Sequence, residues 1–192
     1  MDDLNAGQAR DQLELIQRIL AESQQRLCSG GEYFVAWGLF SGLATVAGHL
    51  IARGIAPLGL LWVVAAALAA CIVFSTLRAR ALSGALGRES IVQREFFNVL
   101  WLTIGLAFVA NAAAYRIFAG VASAAVWSIA EAIVLLYIGM HGNRRAQIAG
   151  VLVVVSLIAA NFVAPPLAGY VLGAGMLVGY GGFGVGELLA RE

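Results

Sequence analysis

Hydrophobic residues in this chain are gathered into six long runs, separated by short polar segments. The runs cover residues 33–52, 57–76, 96–115, 120–140, 147–164 and 167–186. A helix needs about 20 apolar residues to cross a hydrocarbon core of ~30 Å. Each run is close to that length and apolar on all sides, whereas a membrane-spanning strand alternates apolar and polar residues. The pattern predicts an all-α polytopic membrane protein with six transmembrane helices, arranged as three hairpins.

A shorter amphipathic pattern precedes the first run, between residues 9 and 27. Leu13, Ile16 and Leu20 fall on helical spacing, and charges of alternating sign recur every four residues. This predicts a cytoplasmic amphipathic helix in residues 1–31, which ends in a glycine hinge before a bundle over 32–192. Its apolar stripe could cover its own bundle, a second copy or another protein helix, or the lipid surface. The balanced charges favour a protein surface, because interfacial anchors are rich in Lys and Arg.

The first two predicted hairpins resemble each other in sequence. Residues 32–53 align without a gap with residues 95–116, and the matched pairs include Glu32 with Glu95 and Gly42 with Gly105. We predict that residues 32–77 and 95–140 are parallel repeats of one hairpin. The alternative is chance similarity, since membrane spans draw on few residue types. Residues 146–188 form the third predicted hairpin, for which no register with the other two is evident.

Charge is scarce and unevenly placed. The chain is 61% hydrophobic and 12% charged with a net charge of +1, which implies no bulk attraction to nucleic acid. All twelve basic residues are arginines, and six spans would place ten of them on the side of the two termini. The two on the other side are Arg53 and Arg116. The positive-inside rule then predicts cytoplasmic termini in a plasma membrane, and the composition suggests a bacterial inner membrane.

Glu131 is the most informative polar residue. It lies near the centre of the fourth run, one turn after Ser128. A charge at mid-membrane costs roughly 2.5–3.5 kcal/mol on insertion scales, so the side chain is expected to face the bundle interior. One interpretation is a carboxylate that handles protons or cations. The other is a neutral acid that hydrogen-bonds a neighbouring helix, with Ser41, Thr45 and Thr103 as candidate partners.

Three further polar residues, His49, Asn111 and Asn161, lie near the predicted extracytoplasmic ends of their runs. They could form a small polar pocket, or each could bond nearby backbone or interfacial water. His49 and His141 fall at opposite faces and cannot share a metal. The two cysteines offer no metal-binding spacing, and no nucleophile–base pair or catalytic motif is present. The sequence therefore predicts no cofactor, no metal and no enzymatic activity.

Glycines form two patterns suited to close helix packing. Gly38 and Gly42 make a GxxxG pair in the first run. Gly175, Gly179, Gly182 and Gly186 fall on one face of an ideal helix in the sixth run. Such smooth faces let another backbone approach closely. They are expected either to pack inside one bundle or to form an interface between copies.

The region that begins at Leu13 reads LELIQRILAESQQRL, then a short glycine-containing link, then EYFVAWGLF. It resembles a group of small bacterial six-span proteins, in which an amphipathic helix leads into an aromatic-rich first span with a Trp–Gly pair, here Trp37–Gly38. The resemblance implies a topology and no activity. We expect a non-enzymatic interaction, sensing or regulatory module whose cytoplasmic helix docks on itself or a partner. The alternative is a small transporter or channel that uses Glu131.

Overall fold

The computed structural model describes residues 10–15, 17, 30–86, 91–113 and 121–190. Within these residues the chain is all-α. The helices are α1 (Gly31–Ala52), α2 (Leu60–Leu86), α3 (Ile91–Ala113), α4 (Val121–Met140), α5 (Arg144–Ala159), α6 (Pro165–Met176) and α7 (Gly182–Leu189). A single π turn, Leu177–Gly181, joins α6 to α7. The segment Pro165–Leu189 is therefore one continuous C-terminal helix.

Helix boundaries follow local sequence signals. Gly54 has a φ of 70° just after α1, and Gly142 has a φ of 98° just after α4, a conformation that only glycine adopts without strain. The Asn143 side chain then caps α5 by accepting a hydrogen bond of 3.1 Å from the Ala146 amide. Two prolines open α6, where the missing amide hydrogens are not needed.

Among the residues that the structure describes, five helical segments are long and apolar enough to cross a membrane. They are Gly31–Ala52, Leu60–Arg78, Arg94–Ala113, Val121–Met140 and Pro165–Leu189. The expected fifth span over 147–164 is shorter than its apolar run, because α5 has 16 residues and the chain turns after Ala159. The turn precedes Pro165, and a residue before proline is disfavoured in helical conformation. Apolar residues continue through this turn, so the apolar run extends beyond the end of the helix and the predicted span was too long.

Four helical segments form the inner bundle: α1, α4, α5 and the C-terminal helix. The C-terminal helix packs most extensively on α1 and also on α5, and α4 packs closely on α5. The outer helices α2 and α3 each pack extensively on a single neighbour within the described structure, α2 on α1 and α3 on α4. The core cluster lies among the inner helices and contains Leu135, Ile138 and Val153, each at most 1% exposed.

Glycines bring α1 and the C-terminal helix into backbone contact. A Cβ built on Gly42 would lie 2.8 Å from the carbonyl oxygen of Gly173, and one built on Gly31 would lie 2.8 Å from that of Gly184. Between these contacts, Gly38 meets the backbone of Gly181. The GxxxG pair of the first run therefore packs inside one bundle.

The four glycines expected on one face of the sixth run are divided between two environments. Gly175 packs on Ser156, and Gly179 packs on Val153 and Ala149, both from α5. Gly182 and Gly186 face open space, with no atom within 4 Å of a built Cβ. The π turn between the two pairs explains the difference, because its i→i+5 ladder turns the chain less per residue than an α-helix. The single face expected from ideal helical spacing was wrong.

Two predicted segments at the polar side of the bundle lie partly outside the described residues. Helix α2 continues to Leu86 and α3 begins at Ile91, so the loop expected over 77–94 is much shorter, with 87–90 outside the described part. In the N-terminal segment, residues 10–15 and 17 are helical and exposed, and the rest of the expected amphipathic helix up to residue 29 is not described. Gly30 caps α1 at the expected hinge.

Candidate functional site: a buried carboxyl at a three-helix junction

Glu131 lies where α4 meets α1 and the C-terminal helix. Ser41 of α1 lies within hydrogen-bonding reach of its carboxyl, and the Ser41 hydroxyl also lies 3.4 Å from the carbonyl oxygen of Gly38, to which it can donate. The second oxygen, Oε2, is shielded from solvent and has no hydrogen-bond partner among the described residues. A buried polar atom without a partner is uncommon in native structures and destabilises the fold. The side chain is therefore directed into the bundle, as its cost in lipid predicts.

The π turn contributes the third wall of this junction. Tyr180, which is 7% exposed, lies in the turn and is an electrostatic neighbour of Glu131. Its ring packs on Phe34 with a centroid distance of 5.1 Å, and Phe34 in turn packs edge-on against Phe183 at 4.8 Å. The carboxyl is thus set beside a closely packed aromatic group, and irregular π turns of this kind occur frequently at functional sites.

Of the three hydroxyls expected as partners of Glu131, Ser41 is the one that lies within reach of the carboxyl. Thr103 donates instead to the carbonyl of Val99 in its own helix at 2.7 Å. Thr45 donates to the sulfur of Met176 at 3.2 Å. Ser128, which is fully buried, donates to Ala124 one turn earlier in α4 at 3.0 Å. Ser41 lies on the same face of α1 as Gly38, which sets it close to α4 and the C-terminal helix.

The other predicted polar residues are found in three separate arrangements. His49 is 5% exposed, and its Nε2 lies 2.9 Å from the carbonyl oxygen of Pro166, so it links α1 to the start of α6. Asn111 donates to Ala107 and accepts a 2.6 Å bond from Ser123. Asn161 is exposed and donates to Leu157 in α5. These contacts fit the simpler expectation, that each residue bonds nearby groups, better than a shared pocket.

The opposite end of the bundle carries polar contacts that the sequence did not single out. Glu32 and Arg78 form a bidentate ion pair with an Oε1–Nη2 distance of 2.8 Å. Asn143 donates to the buried carboxylate of Glu187 at 3.2 Å, which ties the α4–α5 turn to α7. The predicted sixth run stopped at residue 186, so Glu187 was counted as a terminal residue. We call this end of the bundle the Arg78 end and the other the His49 end.

The described residues contain no group of three or more His, Cys, Asp or Glu side chains that could hold a metal ion. His49 and His141 lie at opposite ends, since His141 bonds Tyr137 at the end of α4 near Asn143. Cys71 is partly buried, with its sulfur 3.7 Å from the carbonyl oxygen of Ala36. Cys28 lies outside the described residues. At the three-helix junction, the groups that could take part in chemistry are the carboxyl of Glu131, the hydroxyl of Ser41 and the phenol of Tyr180.

Comparison with protein-family models, with curated proteins and with solved structures finds no match for this chain. The sequence resemblance around Leu13 therefore remains a prediction. The fold and the apolar helices together are compatible with an all-α, multi-pass membrane protein.

Proposed function

We propose that the chain crosses the membrane six times, with both termini in the cytoplasm of a bacterium. Helix α5 supports the sixth crossing. It begins at Asn143, beside Glu187 at the Arg78 end, and it leads into Pro166, which contacts His49 at the other end. Its 16 residues span about 24 Å, and the turn that follows adds to this length. The concentration of arginines on the Arg78 side supports the orientation.

Reporter fusions test this topology. Green fluorescent protein fused after Glu192 should fluoresce, and alkaline phosphatase at the same position should be inactive. Alkaline phosphatase fused after Ala56, in the turn at the His49 end, should be active. Phosphatase activity after Glu192 would contradict the proposed combination of six crossings with a cytoplasmic N-terminus.

Within this topology, the chain is proposed to be a non-enzymatic interaction module that recruits a helical partner through its N-terminal helix. The exposure of that helix supports the proposal. Leu13 and Leu15 are each 58% exposed, so the described part of the apolar stripe is not covered by its own bundle. Burying a leucine side chain contributes roughly 1.5–3 kcal/mol, and a partner helix would gain that stabilisation.

The interior of the bundle favours an interaction module over a transporter. Glycine contacts hold α1 and the C-terminal helix at backbone distance, and Glu131 Oε2 is shielded from solvent. Two shallow surface grooves lie beside α5 and α7 and at Trp62, and Glu131 lines neither. A transporter needs water or substrate to reach its mid-membrane group, whereas a scaffold needs only rigid packing.

Site-specific photo-crosslinking tests the recruitment. A crosslinking residue at Leu13 in intact membranes should yield an adduct of one defined protein mass. The same residue at Asp11 should not, because two positions along a helix differ by about 200°. Adducts to lipid alone at Leu13, or equal protein adducts at both positions, would overturn the proposal.

A second candidate function is proton or cation movement through Glu131, and the partnerless Oε2 is the observation that favours it. Proteoliposomes with a trapped pH-sensitive dye distinguish the two candidates. A flux that wild-type protein supports and Glu131→Gln abolishes would establish this second function. Equal traces for wild type and Glu131→Gln would exclude it. Ser128→Ala, which changes a hydroxyl bonded within α4, serves as the control.

A further inference from the structure

A shallow groove of about 320 Å³ runs between α5 and α7 toward the Arg78 end of the bundle. Its walls are the apolar side chains of Ile148, Leu152 and Val178, which are 53%, 45% and 58% exposed. The volume is at the lower end of the ~300–1,000 Å³ typical of small-molecule sites. The groove is open along its side, so in a membrane it faces the surrounding lipid.

The groove exists because two glycines carry no side chains. Gly182 and Gly186 line it, and a Cβ built on either would meet no atom within 4 Å. The π turn places them here, away from the face that packs on α5. The ring of Phe183 is 4% exposed and lines the groove beside them. The groove is therefore smooth and apolar, and it occupies the space that side chains at these two positions would fill.

Arg145 lies at one end of this groove. Its Nη1 donates a 3.0 Å hydrogen bond to the carbonyl oxygen of Gly186, which fixes the guanidinium beside the groove. A guanidinium has five N–H donors, so one bond does not exhaust its capacity. Arg144 precedes it and is also exposed. The nearest carboxylate of the C-terminal helix, Glu187, is turned toward Gly31 of α1 and bonds Asn143.

The positions of charge and apolar surface match the two parts of a phospholipid. Arg145 is the second residue of α5, which in the proposed topology places it where the helix meets the head groups. Leu152 follows seven residues later, about 10 Å deeper along the helix axis. Basic pockets between membrane helices at this depth bind anionic lipid head groups. The planar guanidinium can engage a phosphate through two parallel hydrogen bonds.

We propose that this groove is a binding site for an anionic glycerophospholipid, with one acyl chain along Gly182 and Gly186 and the phosphate on Arg145. The site is independent of the recruitment proposed for the N-terminal helix, and it rests on the proposed crossing of the membrane by α5. One arginine near a membrane surface contributes about 1 kcal/mol of attraction to an anionic lipid, which corresponds to about a fivefold preference.

Native mass spectrometry of the full chain tests the site. Protein is equilibrated in mixed micelles with equal amounts of phosphatidylglycerol and phosphatidylcholine of identical acyl chains. Wild type should retain phosphatidylglycerol about fivefold over phosphatidylcholine. Arg145→Gln should lose this preference, and Arg145→Lys should keep part of it, because a lysine supplies the charge without the planar fork.

A second pair of variants separates the groove from the charge. Gly182→Leu should fill the groove and lower retention of both lipids. Gly105→Leu is the matched control, because that glycine of α3 also has no atom within 4 Å of a built Cβ. Equal retention of the two lipids by wild type would overturn the proposal. The same holds if Gly182→Leu behaves like Gly105→Leu, or if it changes the oligomeric mass without changing lipid retention.

Discussion

Glu32 and Arg78 join the start of α1 to the end of the Leu60–Arg78 span through two parallel hydrogen bonds. Nε of Arg78 donates to Oε2 at 2.9 Å, and Nη2 donates to Oε1 at 2.8 Å. Both side chains are partly exposed, at 38% for Arg78 and 30% for Glu32. Since α2 packs extensively on one neighbour in the described structure, this pair holds it to α1 together with the Trp37–Ser75 bond of 2.9 Å and the contact of the Cys71 sulfur with Ala36.

The ion pair should stabilise the first hairpin in a salt-dependent way. Glu32→Gln and Arg78→Gln should each lower the thermal midpoint in detergent. The thermal midpoint of the double variant should be no lower than that of the less stable single variant. The difference from wild type should shrink in 1 M NaCl, because screening weakens exposed pairs. If the loss in the double variant equals the sum of the losses in the two single variants, the two groups act independently.

Gly42 and Gly105 occupy equivalent positions of the two predicted hairpin repeats and offer a matched test of packing. Gly42→Ala should reduce the free energy of unfolding by about 1–3 kcal/mol, because its Cβ would lie 2.8 Å from the Gly173 carbonyl oxygen. Gly105→Ala should change stability by less than about 0.5 kcal/mol. Unfolding in a mixed-micelle titration measures both. Equal effects would contradict the asymmetric roles of the two hairpins.

The Ser41 hydroxyl should contribute to stability through the carboxyl within its reach. Ser41→Ala should destabilise the bundle by about 1–3 kcal/mol, because it would remove the hydroxyl within reach of a buried carboxyl whose Oε2 has no partner among the described residues. Thr76→Ala is the control, since that exposed hydroxyl donates only within its own helix, to Ile72 at 2.8 Å. The loss should disappear in the Glu131→Leu background. A similar loss in that background would place the role of Ser41 elsewhere.

The π turn should tolerate the removal of one residue. Deleting Val178 would let the chain close an ordinary i→i+4 ladder while α7 keeps its orientation. Deleting Val155 from regular α5 would turn every following residue of that helix by about 100°. The two valines are similarly exposed, at 58% and 52%. Size-exclusion profiles of fluorescent fusions should show a folded peak for the first deletion and its loss for the second; the reverse would contradict the register.

Much of the fold follows from the length and position of the apolar runs, because lipid leaves a spanning backbone little choice but a helix. The inward direction of Glu131 and its proximity to Ser41 follow from the same cost of exposing a carboxyl to hydrocarbon. The close approach of the backbone at Gly38 could also be predicted from the sequence, because a GxxxG pair in a membrane helix is typical of close helix packing.

Other features depend on information that periodicity does not carry. The π turn has no distinct residue pattern, so Gly182 and Gly186 were assigned to the wrong face. The end of α5 depends on Pro165, six residues after Ala159, while the intervening residues remain apolar. Glu187 stayed unnoticed because hydropathy treats the end of a run as its boundary, although Asn143 holds its carboxylate inside the structure.

The contacts of α1 with the C-terminal helix also set the order of events during synthesis. Helix α1 precedes the 25-residue helical segment Pro165–Leu189 in the chain, so its glycine face stays without its partner until that segment has been synthesised. A chain truncated before Pro165 can insert its earlier helices, but no lipid chain reproduces the backbone approach at Gly38 and Gly42. Such a product lacks the backbone contacts that join α1 to the C-terminal helix, so we expect proteases to cleave it more readily than the complete bundle.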